Sequence, residues 1–253
     1  MNNSIIQDKK YSKLDEGLKR EFKINFIQEY EFTDRLFKHG ISILDNQELS
    51  FCPSILPIIY TIMSLAIEKY LKLFVIMIHI IDDDSILPNN DLRINYGHNL
   101  KKLNNKVFEW IKNNTQKATN IDYLEAIIKN IPDKNILNDI ITALSKFAQN
   151  GRFYYLDNLL LQSSKLKYKY DNISPTEKWE EIETKINEKH LHYSLENAGG
   201  PEFEKGLAKQ LMQYFKSWVN VLFQAGFQGL FGELGKLLAN DIGTINPINS
   251  NKL

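Results

Sequence analysis

Ser64, Glu68 and Lys72 stand four residues apart in the run SLAIEKYLKLFVIMIHII, which covers Ser64 to Ile81. On a helix this spacing lines the three side chains along one face, and a glutamate four residues ahead of a lysine has the favourable orientation for an ion pair. If that face turns inward the charges need partners, because an unpaired buried charge is costly. His98, where a later helix is expected to begin, is a candidate partner for Glu68. Such a pair serves either acid–base chemistry or the simpler task of holding two helices in register.

Other clusters are open to two readings. Arg152 is followed by Phe153, Tyr154 and Tyr155, a guanidinium beside aromatic faces that could stack a nucleotide. The same aromatics also suit core packing. Asp82, Asp83 and Asp84 could hold Mg²⁺, but the surrounding DDDSILPNND has the composition of a solvated loop and no second ligand cluster accompanies it. His190 and His192 are two apart on an expected helix, so they fall on different faces and chelate poorly.

The elements that must position these residues are helical. From Glu21 to Asn46, apolar residues recur at three-to-four-residue intervals. Pro53 and Pro57 precede a breaker-free stretch, Ile58 to Ile81, expected to be the central helix and to end before the acidic trio, since carboxylates are unfavourable at the negative end of a helix dipole. Behind Gly97 and His98, the stripe Leu100, Leu103, Val107, Trp110 and Ile111 marks a third helix. Further helices are expected at Ile121 to Asn130 and Ile136 to Gln149, separated by Pro132. Ser174 and Pro175 form an N-cap and first-turn pair before Trp179, Ile182 and Ile186, and Gly199, Gly200 and Pro201 break that helix. A final helix is expected from Glu202 to Ala239. No run alternates as a strand would. The expectation is an all-α protein: a helical bundle over residues 1–165 and a C-terminal helical hairpin over 174–243.

Within the last helix, Gly226, Gly229, Gly232 and Gly235 are three apart. A stripe without side chains lets another helix approach closely, as a hairpin contact, a homodimer seam or an amphipathic membrane-facing segment. A span through a bilayer is not expected of the central helix: each charge at mid-membrane costs about 2.5–3.5 kcal/mol, and Glu68, Lys69 and Lys72 are clustered there.

Composition sets outer bounds. With 253 residues the chain can bury a sizeable core, and 31 basic against 31 acidic residues give no global attraction to nucleic acid, so any such binding needs a local patch. A lone cysteine, Cys52, forms neither an internal disulfide nor a cysteine zinc cluster and fits a reducing compartment. The first residues lack the apolar core of a secretion signal, so a cytoplasmic location is expected. Nothing implies a cofactor.

The order of motifs, a long helix, then SLAIEKYLKLF, then YGHNLKKL, then helices ending in GRFYYLD, resembles the HEPN superfamily over roughly residues 20 to 160. Ala66, Ile67, Glu68, Leu71 and Lys72 match a signature of that family's second helix, and Gly97, His98, Leu100 and Leu103 match the start of its next. The resemblance implies a short helical bundle, frequent homodimerisation, and a role in prokaryotic defence or toxin–antitoxin systems acting on RNA or a nucleotide. Many nucleases of the family carry an arginine and a histidine with four to six residues between them. Here Arg152 has the place of the arginine, but Asp157, Asn158 and Leu159 stand where the histidine would fall. Arg93 and His98 have the spacing, though ahead of the third helix. By this resemblance the candidate catalytic set is Glu68, His98 and Arg152, with His98 as replacement acid–base group, Arg152 clamping phosphate and Glu68 orienting the imidazole. Lys72, Tyr154 and Tyr155 are the candidate binding residues. The alternative implied by the missing histidine is a non-catalytic scaffold or protein-binding module.

Overall fold

A computed structural model of the chain describes residues 10–46, 56–149, 175–194 and 200–241. Among them are nine α-helices and no strand; one isolated bridge joins Lys10 and Ser85. The protein is all-α.

Helix α1 (Glu16–Asp45) begins at Asp15, whose side chain accepts the Leu18 N–H at 2.9 Å, satisfying a donor that the helix itself leaves open. Its buried stripe, Phe26, Tyr30, Thr33, Phe37, Gly40 and Leu44, faces α2 (Leu56–Asp83). Residues of α2 are buried on nearly every side, among them Met63, Ala66, Ile67, Tyr70, Leu71, Phe74 and Met77. A helix apolar all round belongs in the middle of a protein. Accordingly α2 packs against α1 on one side and against α4 (Leu100–Asn114) and α6 (Lys134–Gln149) on others.

The end of α2 departs from expectation. The helix continues through Asp83, because each carboxylate of the acidic trio has its own partner. Asp82 accepts the Trp110 indole N–H at 2.9 Å, Asp83 lies 2.7 Å from His79 Nδ1, and Asp84 accepts both the Ser12 N–H and hydroxyl at 2.8 and 2.6 Å. A side-chain donor at each position offsets the unfavourable dipole. The loop that follows contains a short helix, α3 (Asn89–Asn95), that composition did not reveal. Gly97 then turns the chain with φ +52° into α4.

Helix α5 (Ile121–Lys129) matches its expected span within one residue. Helix α7 (Pro175–Ile186) ends in a π-helical turn, Asn187–Leu191, closed by His192 in the left-handed region at φ 57°. This stop comes before the glycines expected to supply it. The single last helix expected from Glu202 to Ala239 is two helices, α8 (Pro201–Phe227) and α9 (Gly232–Asp241). Gly229 and Gly232, at φ +85° and +61°, form the turn between them. The other two glycines form the contact: a Cβ on Gly226 would stand 2.9 Å from the Gly235 carbonyl oxygen. The stripe is thus spent on the hairpin, half in its bend and half where its arms meet.

That hairpin joins the same hydrophobic core as the earlier helices. Trp218 of α8 is fully buried and donates its indole N–H to Asn104 Oδ1 of α4 at 2.8 Å. Phe231 packs edge-on to Phe74 of α2 at 4.8 Å and stacks on Trp110 of α4 at 5.0 Å. Among the described residues, no helix is long and apolar enough to cross a membrane.

Candidate functional site

Glu68 lies in the middle of α2, where the helix is enclosed, and only 4% of the residue is exposed. Lys72, one turn on, brings its Nζ to 2.6 Å from Glu68 Oε1. From the turn between α3 and α4, His98 places Nδ1 3.0 Å from both Glu68 oxygens. A carboxylate with an ammonium this close accepts hydrogen bonds only, so Nδ1 carries the proton and donates it to Glu68. The opposite ring nitrogen, Nε2, has no protein partner among the described residues. The imidazole side chain is 58% exposed.

The local chain explains this placement. Asn99 caps α4 by accepting the Lys102 N–H at 2.9 Å, so the backbone is fixed immediately after His98. Lys102 reaches back to donate to the Asn95 carbonyl at 2.7 Å, and its ammonium lies 5.5 Å from the Tyr96 ring centroid, tying the turn to the end of α3. Lys101 and Lys102 are exposed in the first turn of α4. Lys72 belongs to the network itself, and Lys101 and Lys102 follow His98 closely along a chain of zero net charge.

Glu68, Lys72 and His98 are thus brought together. Ser64 shares their helix face but not their network: it is buried and donates to the Thr61 carbonyl at 3.0 Å. Arg152, Tyr154 and Tyr155, with the positions after Arg152, lie outside the described residues. Arg93 is exposed in the last turn of α3 and makes no described contact with His98.

His190 and His192 serve local structure. His190 Nε2 lies 2.8 Å from the hydroxyl of buried Tyr214, whose acidity is weakened to a pKa of about 12 by burial and by Asp133, while burial also lowers the pKa of His190. Asp133 is paired with Lys189, and Asp139 with Lys185 at 2.5 Å, across a surface depression of about 330 Å³. Among the described residues, no three His, Cys, Asp or Glu side chains converge as a metal-holding group.

Sequence reasoning missed a second polar cluster, in which Tyr60 packs on Trp179 and lies in the field of Glu183 and Glu204. One signal was present: Glu183 follows Trp179 by four residues, placing a carboxylate on the buried side of its helix. The arrival of Tyr60 and Glu204 is tertiary and has no local mark.

Comparison with protein-family models, with curated proteins and with solved structures finds no match. The architecture defines an all-α helical bundle.

Proposed function

We propose that this chain is a HEPN-like helical protein that engages the phosphate groups of RNA or a nucleotide through His98. The observation that carries the reading is an exposed imidazole whose Nδ1 is held by a buried carboxylate. Such an arrangement fixes the tautomer and leaves Nε2 as the one nitrogen that meets a ligand. Neutral Nε2 accepts a proton from a hydroxyl; protonated Nε2 donates to a phosphate oxygen. Lys72 offsets the Glu68 charge, so the site does not repel an anion, and Lys101 and Lys102 add positive potential beside it. The motif order that resembles the HEPN superfamily supports RNA or a nucleotide as the anion, and supports a homodimer in a defence or toxin–antitoxin setting. The absence of a histidine at the family's spacing after Arg152 favours binding without strong metal-independent cleavage.

The test is titration of fluorescently labelled single-stranded RNA and transfer RNA with wild type, His98→Ala, Arg152→Ala and a Lys101→Ala/Lys102→Ala variant of verified folding. Anisotropy should report salt-sensitive binding that weakens in each variant, with RNA left intact on gels. Binding unaffected by His98→Ala, or none at low salt, overturns the reading and leaves the scaffold alternative. Cleavage lost in both His98→Ala and Arg152→Ala makes the site catalytic.

A further inference from the structure

Away from His98, a second polar cluster joins the early turns of α2, the middle of α7 and the first turn of α8. Tyr60 and Trp179 pack with ring centroids 4.2 Å apart, tilted by 54°, and Phe147 of α6 meets Tyr60 edge-on at 6.0 Å. Tyr60 is 8% exposed and Trp179 4%. The Tyr60 hydroxyl and Trp179 indole N–H are both buried and, among the described residues, lack hydrogen-bond partners. Each such group costs about 1–3 kcal/mol when left unmet, so two side by side call for an explanation.

Two carboxylates supply the direction of that explanation. Burial weakens the acidity of the Tyr60 hydroxyl, and the field of Glu183 and Glu204 adds to the effect. Glu183 is itself pushed up to about 7 by burial, by Glu204 and by Glu180. Burial also raises Glu204. Among the described residues, no basic group is among the charges acting on Glu183, and neither Glu183 nor Glu204 has an ion-pair partner. Of the groups that act on Glu183, α8 presents Glu204 and its own helix Glu180; Tyr60 of α2, which packs against Phe147 of α6, lies in the field of Glu183.

We propose that Tyr60, Trp179, Glu183 and Glu204 form a binding site for an organic cation, an ammonium or guanidinium group carried by a small amine or by a peptide. The carboxylates accept charge-assisted hydrogen bonds from such a group. The aromatic rings attract its charge, and the Tyr60 oxygen accepts a further N–H. The Trp179 N–H donates to an oxygen next to the cation, which a peptide carbonyl provides. A bare divalent ion fits less well: an indole N–H is no ligand, and Ca²⁺ takes six to eight oxygens. Because a proton on Glu183 competes with the cation, binding strengthens as pH rises through about 7 and weakens below it.

The experiment uses the ¹⁵N-labelled full chain and its three assigned indole N–H signals. Those of Trp110 and Trp218, bonded to Asp82 and Asn104, serve as internal controls of the fold. N-acetyl-arginine amide, spermidine and magnesium chloride are titrated separately at pH 8 and pH 6. The Trp179 signal should move saturably with an organic cation while the controls stay still. A response to the arginine amide identifies a peptide-type ligand, and a response to spermidine alone a small amine. Affinity should fall about tenfold or more at pH 6 and in Glu183→Gln, the loss expected for one charged hydrogen bond. A Trp179 signal unmoved by both organic cations, moved by magnesium alone, or moved equally in a Glu183→Gln/Glu204→Gln variant overturns the proposal.

Discussion

His98 Nδ1 stands 3.0 Å from each carboxylate oxygen of Glu68, yet the two side chains differ widely in exposure, 58% against 6%. The anchor is inside and the anchored ring is outside. A contact made only to hold helices together has no need to leave most of one partner in water, where surface pairs contribute about 0–1 kcal/mol. The geometry orients the imidazole more than it secures the bundle.

That asymmetry separates orientation from register. His98→Ala should cost less than about 1 kcal/mol of stability, as for an exposed pair. Glu68→Ala should cost about 1–3 kcal/mol, because it removes buried hydrogen bonds and leaves Lys72 without its partner. Urea unfolding of both variants checks the difference. Equal, large losses mean that the histidine is a structural peg.

Glu183 makes stability depend on pH in an unusual sense for a carboxylate. Its pKa is raised to about 7, so between its ordinary value and 7 the folded state holds a proton that the unfolded state has lost. Stability therefore falls as pH rises through this window. Glu183→Gln should stabilise the protein at pH 8, by about 3 kcal/mol at most from the size of the shift, and change little at pH 5. Urea midpoints at the two pH values give the answer; a gain independent of pH refutes the assignment.

The hairpin contact is sensitive to single methyl groups. Gly226→Ala drives a Cβ to 2.9 Å from a backbone oxygen, and Gly235→Ala drives one to 2.5 Å from the Phe231 Cβ. Neither obstacle is the free end of a flexible chain, so each substitution should cost about 1–3 kcal/mol. Gly232→Ala has open space within 4 Å and only its positive φ against it, costing about 1–2 kcal/mol. Thermal unfolding of the three variants should show Gly232→Ala as no worse than the other two.

Acid should release the N-terminal turn. The Asp84 carboxyl is held below its usual range chiefly by the Ser12 hydroxyl and backbone N–H. A depressed carboxylate contributes its stabilisation above its unfolded pKa and loses it as pH falls through the lower folded value. The Ser12 amide should exchange with solvent faster in that acid range, and already at neutral pH in Asp84→Ala, by hydrogen-exchange NMR.

Much of the fold was legible because burial and helical period coincide. The stripe from Leu100 to Ile111 marked α4, and all five of its residues are buried. Pro201, expected to help break the preceding helix, instead opens α8, one residue before the expected start at Glu202, because proline fits a first turn. Boundaries failed where distant partners intervened. Asp82 and Asp83 lie inside α2 because Trp110 and His79 face them, and only His79 is a local neighbour. The break at Gly229 and Gly232 was hidden because glycine at a regular spacing suits a close helix seam as well as a bend. At the candidate site, the Glu68–Lys72 spacing is local and was readable. The exposure of the His98 ring depends on how α3 and α4 meet, which no local pattern encodes.

The burial of Trp218 has a consequence for synthesis. A chain leaves the ribosome from its N-terminus, so α1 to α6 emerge before α8 exists. Until α8 and the turn after it arrive, Tyr70 lacks the Trp218 and Phe223 rings, Phe74 and Trp110 lack the Phe231 ring, and Asn104 lacks the indole that pairs with its oxygen. Transiently exposed apolar surface of this kind promotes aggregation during folding. Completion of the core waits for the late helices, and the nascent protein has a period during which a chaperone has something to hold.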